Sequence, residues 1–409
     1  MKFMYFFLPT LPATFEERRR LRPIAMHQER WQRMIDEVTE LARVAEDVGC
    51  DAVTFPEHHL HSEGLELGSL PVLTQHVIHH TRHIKVGPIG YVLPGWNPLR
   101  LALEIAWLDQ LTKGRTFVGF ARGYQARWLN QMAQKIHVSA TSSDKSETDR
   151  INREAFEEVF QFLKLAWSDE PFRFKGKYYE YPYPQEGTPW PAAEWTREYG
   201  FPGEVDELGR IQKINVVPKP YQRPHPTLFQ AFSVSEETVR WCAREGIIPT
   251  ILLPQPPVVR KLAEAYQQEA RGVGRNLRLG ENLGVVHCVY LAGSKEQARK
   301  LANEGIIAAF RHFFHHFGFS EAFREDQDES RYPRGKVNLP ASEITIERME
   351  RIDFAYAGTV DDVRRGIDAL VENVHPEWFV WQGDQGLLPL AEVRRQLEIF
   401  GKEIIPRYK

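Results

Sequence analysis

Apolar residues fall along this chain in two alternating rhythms. "KFMYFFL" (2–8) is a short, almost continuous apolar run, the pattern of a strand buried on both faces. "RMIDEVTELARVAEDVG" (33–49) repeats apolar residues at helical spacing and stops at Gly49, a natural C-terminal cap. "DAVTF" (51–55) is extended again, "PVLTQHVIHHT" helical, "HIKVGPIGYVL" (83–93) extended, "PLRLALEIAWLDQLTKG" helical and "RTFVGFA" extended. The alternation resumes later. "HPTLFQAF" precedes "SEETVRWCAREG", "IIPTILL" precedes "PPVVRKLAEAYQQEARGVG", and "NLGVVHCVYLAG" precedes "SKEQARKLANEGIIAAF". "GTVDDVRRGIDALVENV" is followed by "EWFVWQG" and a last helix from about Leu390. About eight strand–helix units with apolar strands predict a closed parallel (β/α)8 barrel of the TIM type. A doubly wound sheet is the alternative, but no G-x-G-x-x-G dinucleotide turn accompanies any strand, and "GFARG" at 119–123 is too irregular to count.

Two stretches break the rhythm. Residues 170–225 are rich in Pro, Tyr, Trp and Gly without a helical period, and residues 312–350 run from "HFFHHFGF" into the polar "REDQDESRYPRGK". Neither carries a core of its own. Both read as insertions at the C-terminal mouth of one domain spanning 1–409 rather than as separate domains.

Composition narrows the function without naming it. With 42% hydrophobic and 26% charged residues, the 409-residue chain can bury a substantial core, and a net charge of −3 gives no reason to expect nucleic acid or an anionic membrane as partner. "MKFMYFFLP" is too short for a signal core, and no stretch approaches the roughly 18 apolar residues of a membrane span. Cys50, Cys242 and Cys288 lie far apart with no C-x-x-C pair, so neither a disulfide framework nor a zinc knuckle is indicated. A reduced, cytoplasmic protein is expected.

In such a barrel the functional site lies where strands end and loops enter the helices. "PEHHLHSEG" (56–64) follows the second strand, "GPIGYVLPGWNP" the third, "ARGYQARW" the fourth, "SVSEET" about the sixth and "WQGDQGLLP" the last, so the unusual residues converge on one rim. In "SVSEETVRWCA", Ser233 or Ser235 starts a helix with Thr238 in its first turn. Exposed N–H groups, hydroxyls and the helix dipole make that an anion seat, with Arg122 on the same rim as the cation. The plainer reading is that the serine only caps the helix. No metal is expected. His58 and His59 are adjacent and point apart, and neither the H-E-x-x-H pattern nor a zinc spacing occurs. His76, His79, His80 and His83, like His312, His315 and His316, read as helix-surface residues.

Taken together, these motifs resemble the bacterial-luciferase-like flavin-dependent monooxygenases. The matching segments are "MKFMYFFLP", "AEDVGCDAVTFPEHH", "IKVGPIGYVLPGWNPLRLALEIAWLDQLTKGR", "VGFARGY", "PHPTLFQAFSVSEETVRWCAREG", "YAGTVDDVR" and "LEIFGKEIIP". The resemblance implies a barrel, usually dimeric, that binds reduced FMN supplied by a separate NAD(P)H:flavin reductase. In that family O2 adds to the flavin C4a carbon and the resulting (hydro)peroxide oxidises an organic substrate, here expected to be largely apolar. Carried over by position, His58 matches the catalytic histidine, of a residue type whose charge changes near neutrality, with Glu57 as its orienter. Ile89 and Gly90 match the pair that forms a non-proline cis peptide beneath the isoalloxazine. Arg122, Ser235 and Thr238 match the residues holding the flavin phosphate, Phe6 an aromatic beside the pocket, and residues from about Phe317 to Glu347 the lid. A cysteine found near the flavin in luciferases is Ala121 here, and the 170–225 stretch is longer and aromatic-rich. Light emission from a fatty aldehyde is therefore not expected. Two other readings stay open: an F420-dependent hydride-transfer enzyme, which would want more cations than Arg122, and a non-catalytic flavin-binding subunit. His58 has its own plainer reading as a buried partner of Glu57 or a backbone carbonyl.

Overall fold

Eight parallel strands form the frame: β1 (Lys2–Phe6), β2 (Ala52–Phe55), β3 (Lys85–Pro88), β4 (Val118–Ala121), β5 (Leu228–Ser233), β6 (Ile248–Ile251), β7 (Gly284–Leu291) and β8 (Trp378–Gln382). They come from a computed structural model that describes residues 1–65, 68–141, 144–253 and 255–409. The contacts of the chain divide it into two compact units, residues 1–91, 117–120 and 228–409, and residues 92–116 and 121–227. Apart from Ala121, the eight strands belong to the first.

The strand order is β3-β2-β1-β8-β7-β6-β5-β4, with the two-residue strand Tyr91–Val92 beside β4. The sheet is thus nearly closed into a barrel, and the seam between β3 and β4 depends on glycine. A Cβ on Gly87 would lie 2.1 Å from the Phe117 carbonyl oxygen, and one on Gly119 would lie 2.5 Å from the Pro88 carbonyl oxygen. Only residues without a side chain let the two backbones meet so closely.

Register fixes which side chains enter the barrel. Phe3 and Phe379 are paired, as are Tyr5 and Trp381. Phe3, Phe379 and Trp381 pack on Phe400 of the last helix, Leu390–Glu403. These residues therefore face outward, and the alternate ones, Met4, Phe6, Val380 and Gln382, face in. Phe6 is level with Gln382 on one side and Thr54 on the other. β7 serves two neighbours: Gly284–His287 pairs with β8, and Cys288–Leu291 with the short strand Ala355–Gly358.

The second unit holds the helices Pro98–Thr112 and Glu147–Ala166. The latter did not emerge from the sequence reading, although Ile151, Ala155, Val159 and Phe162 have helical spacing and Ser146 caps its first turn. Val92, Trp128, Leu129, Ala133, Val138 and Ala155 form a core in this unit. The stretch read as lacking a helical period contains two two-stranded sheets, Phe174–Lys175 with Glu180–Tyr181 and Thr188–Pro189 with Arg210–Ile211, and a short helix, Ala193–Tyr199.

In the first unit, the segment expected to act as a lid is a chain of single 3-10 turns, Phe314–Phe317, Phe319–Phe323, Asp326–Ser330 and Ala341–Glu343, ending in the helix Ile346–Arg351. Arg348, buried in that helix, donates to both carboxylate oxygens of Asp328 at 2.5 and 3.0 Å and to Glu343 at 2.8 Å. Arg351 binds both oxygens of Glu325 at 2.9 and 2.7 Å. Charge-assisted pairs thus tie the turns together beside an aromatic cluster in which Phe323 packs on Phe310 and Phe354.

Candidate active site at the barrel mouth

β2 ends at Phe55, and Pro56 leads the chain out of the sheet. Glu57, His58 and His61 follow at the C-terminal end and are all buried. Leu60 adopts φ = 64°, the left-handed region, and the turn brings the His61 ring back to 6.2 Å from that of His58. Glu57 Oε1 is bonded to His59 Nε2 at 3.0 Å, and His61 Nδ1 to Glu63 Oε1 at 3.2 Å. The carboxylate expected to orient His58 is thus engaged with the next histidine.

The loop is pinned from the β1 side. Leu11 N–H donates to the Gly64 carbonyl at 2.9 Å, and Arg18 donates to the carbonyls of Glu63 and Leu11 at 2.8 and 2.6 Å. Gly64 has φ = 73°, and a Cβ there would sit 2.9 Å from Leu11 Cδ1. From another direction the helix beginning at Lys295 passes through a π turn, Asn303–Ile307, and ends at His312. It delivers the Phe313 ring to 5.6 Å from His61 and the His312 ring to 4.6 Å from Phe15.

The peptide Ile89–Gly90 is cis and lies at the β3–β4 seam. Cβ atoms placed on Gly90 and on Gly119 would lie 2.3 Å from the Gly119 carbonyl carbon and 2.8 Å from Ile89 Cα, respectively. Phe6, at the last position of β1, has its ring 5.5 Å from Phe232. Phe232 sits where the register of β5 shifts, with φ = 45°, its N–H donating to Thr250 Oγ1 at 3.1 Å. A bulky residue in that region is costly and needs such support, a feature that clusters at functional sites.

Ser235 is the N-cap of the helix Glu236–Glu245, its Oγ accepting from Thr238 N–H at 3.2 Å and donating to Thr238 Oγ1 at 3.0 Å. The capping reading is therefore realised, and the two expected hydroxyls are in contact at the positive end of the helix. Glu236 in the same turn is bound to Arg240 and Lys261, whose hydrogen bonds hold its carboxyl below the usual range. Arg122, in the second unit, follows β4 directly. Its guanidinium is paired with Asp149 and hydrogen-bonded to Thr141 and to Asn152. Burial pushes the Asp149 carboxyl up, but the Thr141 hydroxyl and the Arg122 charge leave it below its ordinary value. Beyond β8, Asp384 is partly buried, and desolvation pushes its carboxyl up to about 6 even though backbone N–H groups, among them those of Leu387 and Leu388, oppose the shift.

Among the described residues, no group of three or more His, Cys, Asp or Glu side chains is placed to hold a metal ion. Two residues of the barrel interior escaped the sequence reading. Thr54 and Gln382 are the last inward side chains of β2 and β8. The available signal was a polar residue inside the otherwise apolar runs "AVTF" and "WFVWQ".

A family model described as luciferase-like monooxygenase matches residues 1–375. The chain belongs to this family. This luciferase-like chain is 25% identical over 383 residues to 3,6-diketocamphane 1,6-monooxygenase of Pseudomonas putida, covering 89% of the chain and 90% of that protein. It is 32% identical over 386 residues to an alkanal monooxygenase alpha chain of Photorhabdus luminescens, covering 91% of each. Among solved structures, it shares its fold with the oxygenating constituent of 3,6-diketocamphane monooxygenase from the CAM plasmid of Pseudomonas putida, a type II Baeyer–Villiger monooxygenase in complex with FMN. That match covers 100% of this chain and 98% of the other, with a TM-score of 0.71 and 20% identity.

Proposed function

We propose that this luciferase-like monooxygenase is the oxygenating component of a two-component system. It takes reduced FMN from a separate NAD(P)H:flavin reductase and, with O2, oxidises a largely apolar organic molecule. The observation that carries this reading is the glycine seam. Gly87, Gly90 and Gly119 let two backbones meet at the seam where β3 ends, which supports a site built on Ile89 and Gly90 at that end of the barrel. The hydroxyls of Ser235 and Thr238 at a helix N-terminus suit a phosphate, and Arg122, its guanidinium paired with Asp149, is the cation that the family resemblance assigns to it. The donor set fits FMN.

Bound reduced FMN supplies the electrons that activate O2. The chain does the rest. Ile89, Gly90 and Phe6 orient the ring, and the buried His58 holds or moves a proton beside the reacting atoms, with Glu57 positioning the histidine pair. The segment from Phe317 to Glu347 keeps water away. Phe6, Phe232 and Phe313 give the site its apolar character. A homodimer is part of the proposal, supported by exposed Trp107 and Leu111 on the helix Pro98–Thr112. So is a cytoplasmic location, supported by three cysteines that are all free and buried.

Anaerobic titration of the full chain with reduced FMN and, separately, reduced F420 tests the assignment. Saturable binding of FMN alone is expected, weakened by Arg122→Ala. Preference for F420 would replace this reading with hydride transfer, and binding of neither would remove the flavin reading altogether.

A further inference from the structure

We propose that Thr54 and Gln382 form a hydrogen-bonding seat for a hydroxyl group, so that the organic substrate is an apolar molecule bearing an alcohol or phenol. The proposal rests on the monooxygenase reading for the word substrate, but the seat itself rests on geometry. Phe6 is level with Gln382 of β8 and with Thr54 of β2, and all three point into the barrel at its last inward layer. Thr54 is 0% exposed and Gln382 5%. Thr54 Oγ1 and Gln382 Oε1 are both buried without a hydrogen-bond partner. A buried polar atom left unanswered destabilises a fold, so two of them flanking one phenylalanine at a site mouth call for an occupant.

Position decides which occupant. Apart from Phe6, the residues that suit the flavin lie after β3, on β4 and after β5, whereas Thr54 and Gln382 lie on the arc β8-β1-β2. In a ring of eight strands β5 is opposite β1, so this arc lies across the mouth from the phosphate seat. His58 follows Thr54 by four residues on the same arc. The polar pair therefore lies on the substrate side, next to the proton-handling group.

Chemistry decides the class. Gln382 Oε1 only accepts, so the occupant must donate. Thr54 Oγ1 both donates and accepts. A hydroxyl satisfies both with one atom, donating to Gln382 and accepting from Thr54, while Phe6 and Phe232 take an apolar body. A ketone would satisfy only Thr54 unless the Gln382 amide were reversed, and the test separates these cases.

The test uses the full chain, with and without FMN, and three probes on one skeleton: decalin, 2-decalol and 2-decalone. Calorimetric titration of the wild type should show 2-decalol binding about tenfold more tightly than the other two. Thr54→Val and Gln382→Leu should each reduce that preference, and the double variant should abolish it. Both substitutions remove an orphaned atom, so the melting temperature of the unliganded variants should hold or rise, and their affinity for FMN should be unchanged. Equal binding of decalol and decalin, no binding of decalol, or a preference that survives the double variant would overturn the seat. A preference for 2-decalone would overturn the hydroxyl assignment. Loss of FMN affinity in the variants would give the pair to the flavin and overturn the substrate role. If the wild type binds no FMN yet keeps the decalol preference, the seat stands and the monooxygenase reading fails.

Discussion

Neutralising Glu46 should weaken the fold in a pH-dependent way that can be worked out in advance. Glu46 lies at the end of the helix Gln28–Asp47, its side chain 2% exposed. Its carboxylate accepts backbone N–H groups from Arg82 at 2.9 and 3.0 Å, His83 at 2.7 Å and Ile84 at 2.8 Å. It thus fixes the chain just before β3, the strand leading into Ile89–Gly90. Burial alone would push the carboxyl up, but the N–H groups of His83, Ile84 and Arg82 outweigh it and bring the pKa from 4.5 down to about 2. A shift of that size corresponds to about 3 kcal/mol. Because the folded value is the lower one, the stabilisation is complete above the unfolded pKa and is lost as pH falls through the folded one. Glu46→Gln should therefore cost about 3 kcal/mol at pH 7, falling to roughly half near pH 3. Urea midpoints of wild type and variant across pH 3–7 measure this directly. A difference that stays constant across that range would show that the charge is not what holds the strand.

Further outcomes follow from other contacts. Gly119→Ala puts a carbon 2.5 Å from the Pro88 oxygen. It should cost about 1–3 kcal/mol in a thermal melt and weaken FMN binding in a titration. Arg348→Met leaves Asp328 buried without its charge partner. It should cost about 3–5 kcal/mol and open the 317–347 segment to limited proteolysis before the barrel unfolds. Asp384 has its folded pKa raised to about 6, so wild-type stability should decline by about 3 kcal/mol as pH rises from about 4 to above 6. Asp384→Asn should flatten that slope in denaturant titrations.

How much of this was legible in the sequence varied from segment to segment. The strands were legible because both of their faces are buried, so "KFMYF" and "WFVWQ" appear as unbroken apolar runs whatever their neighbours. The rim motifs were legible because strand ends and loop starts share one boundary. The helix Glu147–Ala166 was missed even though its apolar period and its cap are plain. The small sheets of residues 170–225 were not legible, since two-residue strands carry no period to read. The partner of Glu57 was illegible for another reason. It depends on which way each side chain leaves the loop, which adjacent histidines in the sequence do not reveal. Thr54 and Gln382 were passed over because facing into a barrel is a property of register, and register depends on strands far apart in sequence. The seam followed the same rule: Gly87 and Gly119 have a meaning only once β3 and β4 are neighbours.

The central claim is that this chain binds reduced FMN and governs its reaction with O2. Stopped-flow mixing of the anaerobic chain–reduced FMN complex with oxygenated buffer, followed by flavin absorbance, tests it most directly. A protein-bound phase, slower than the reoxidation of free reduced FMN and altered in His58→Ala, is the expected result. Reoxidation indistinguishable from that of free flavin, with the chain in excess, would contradict the account.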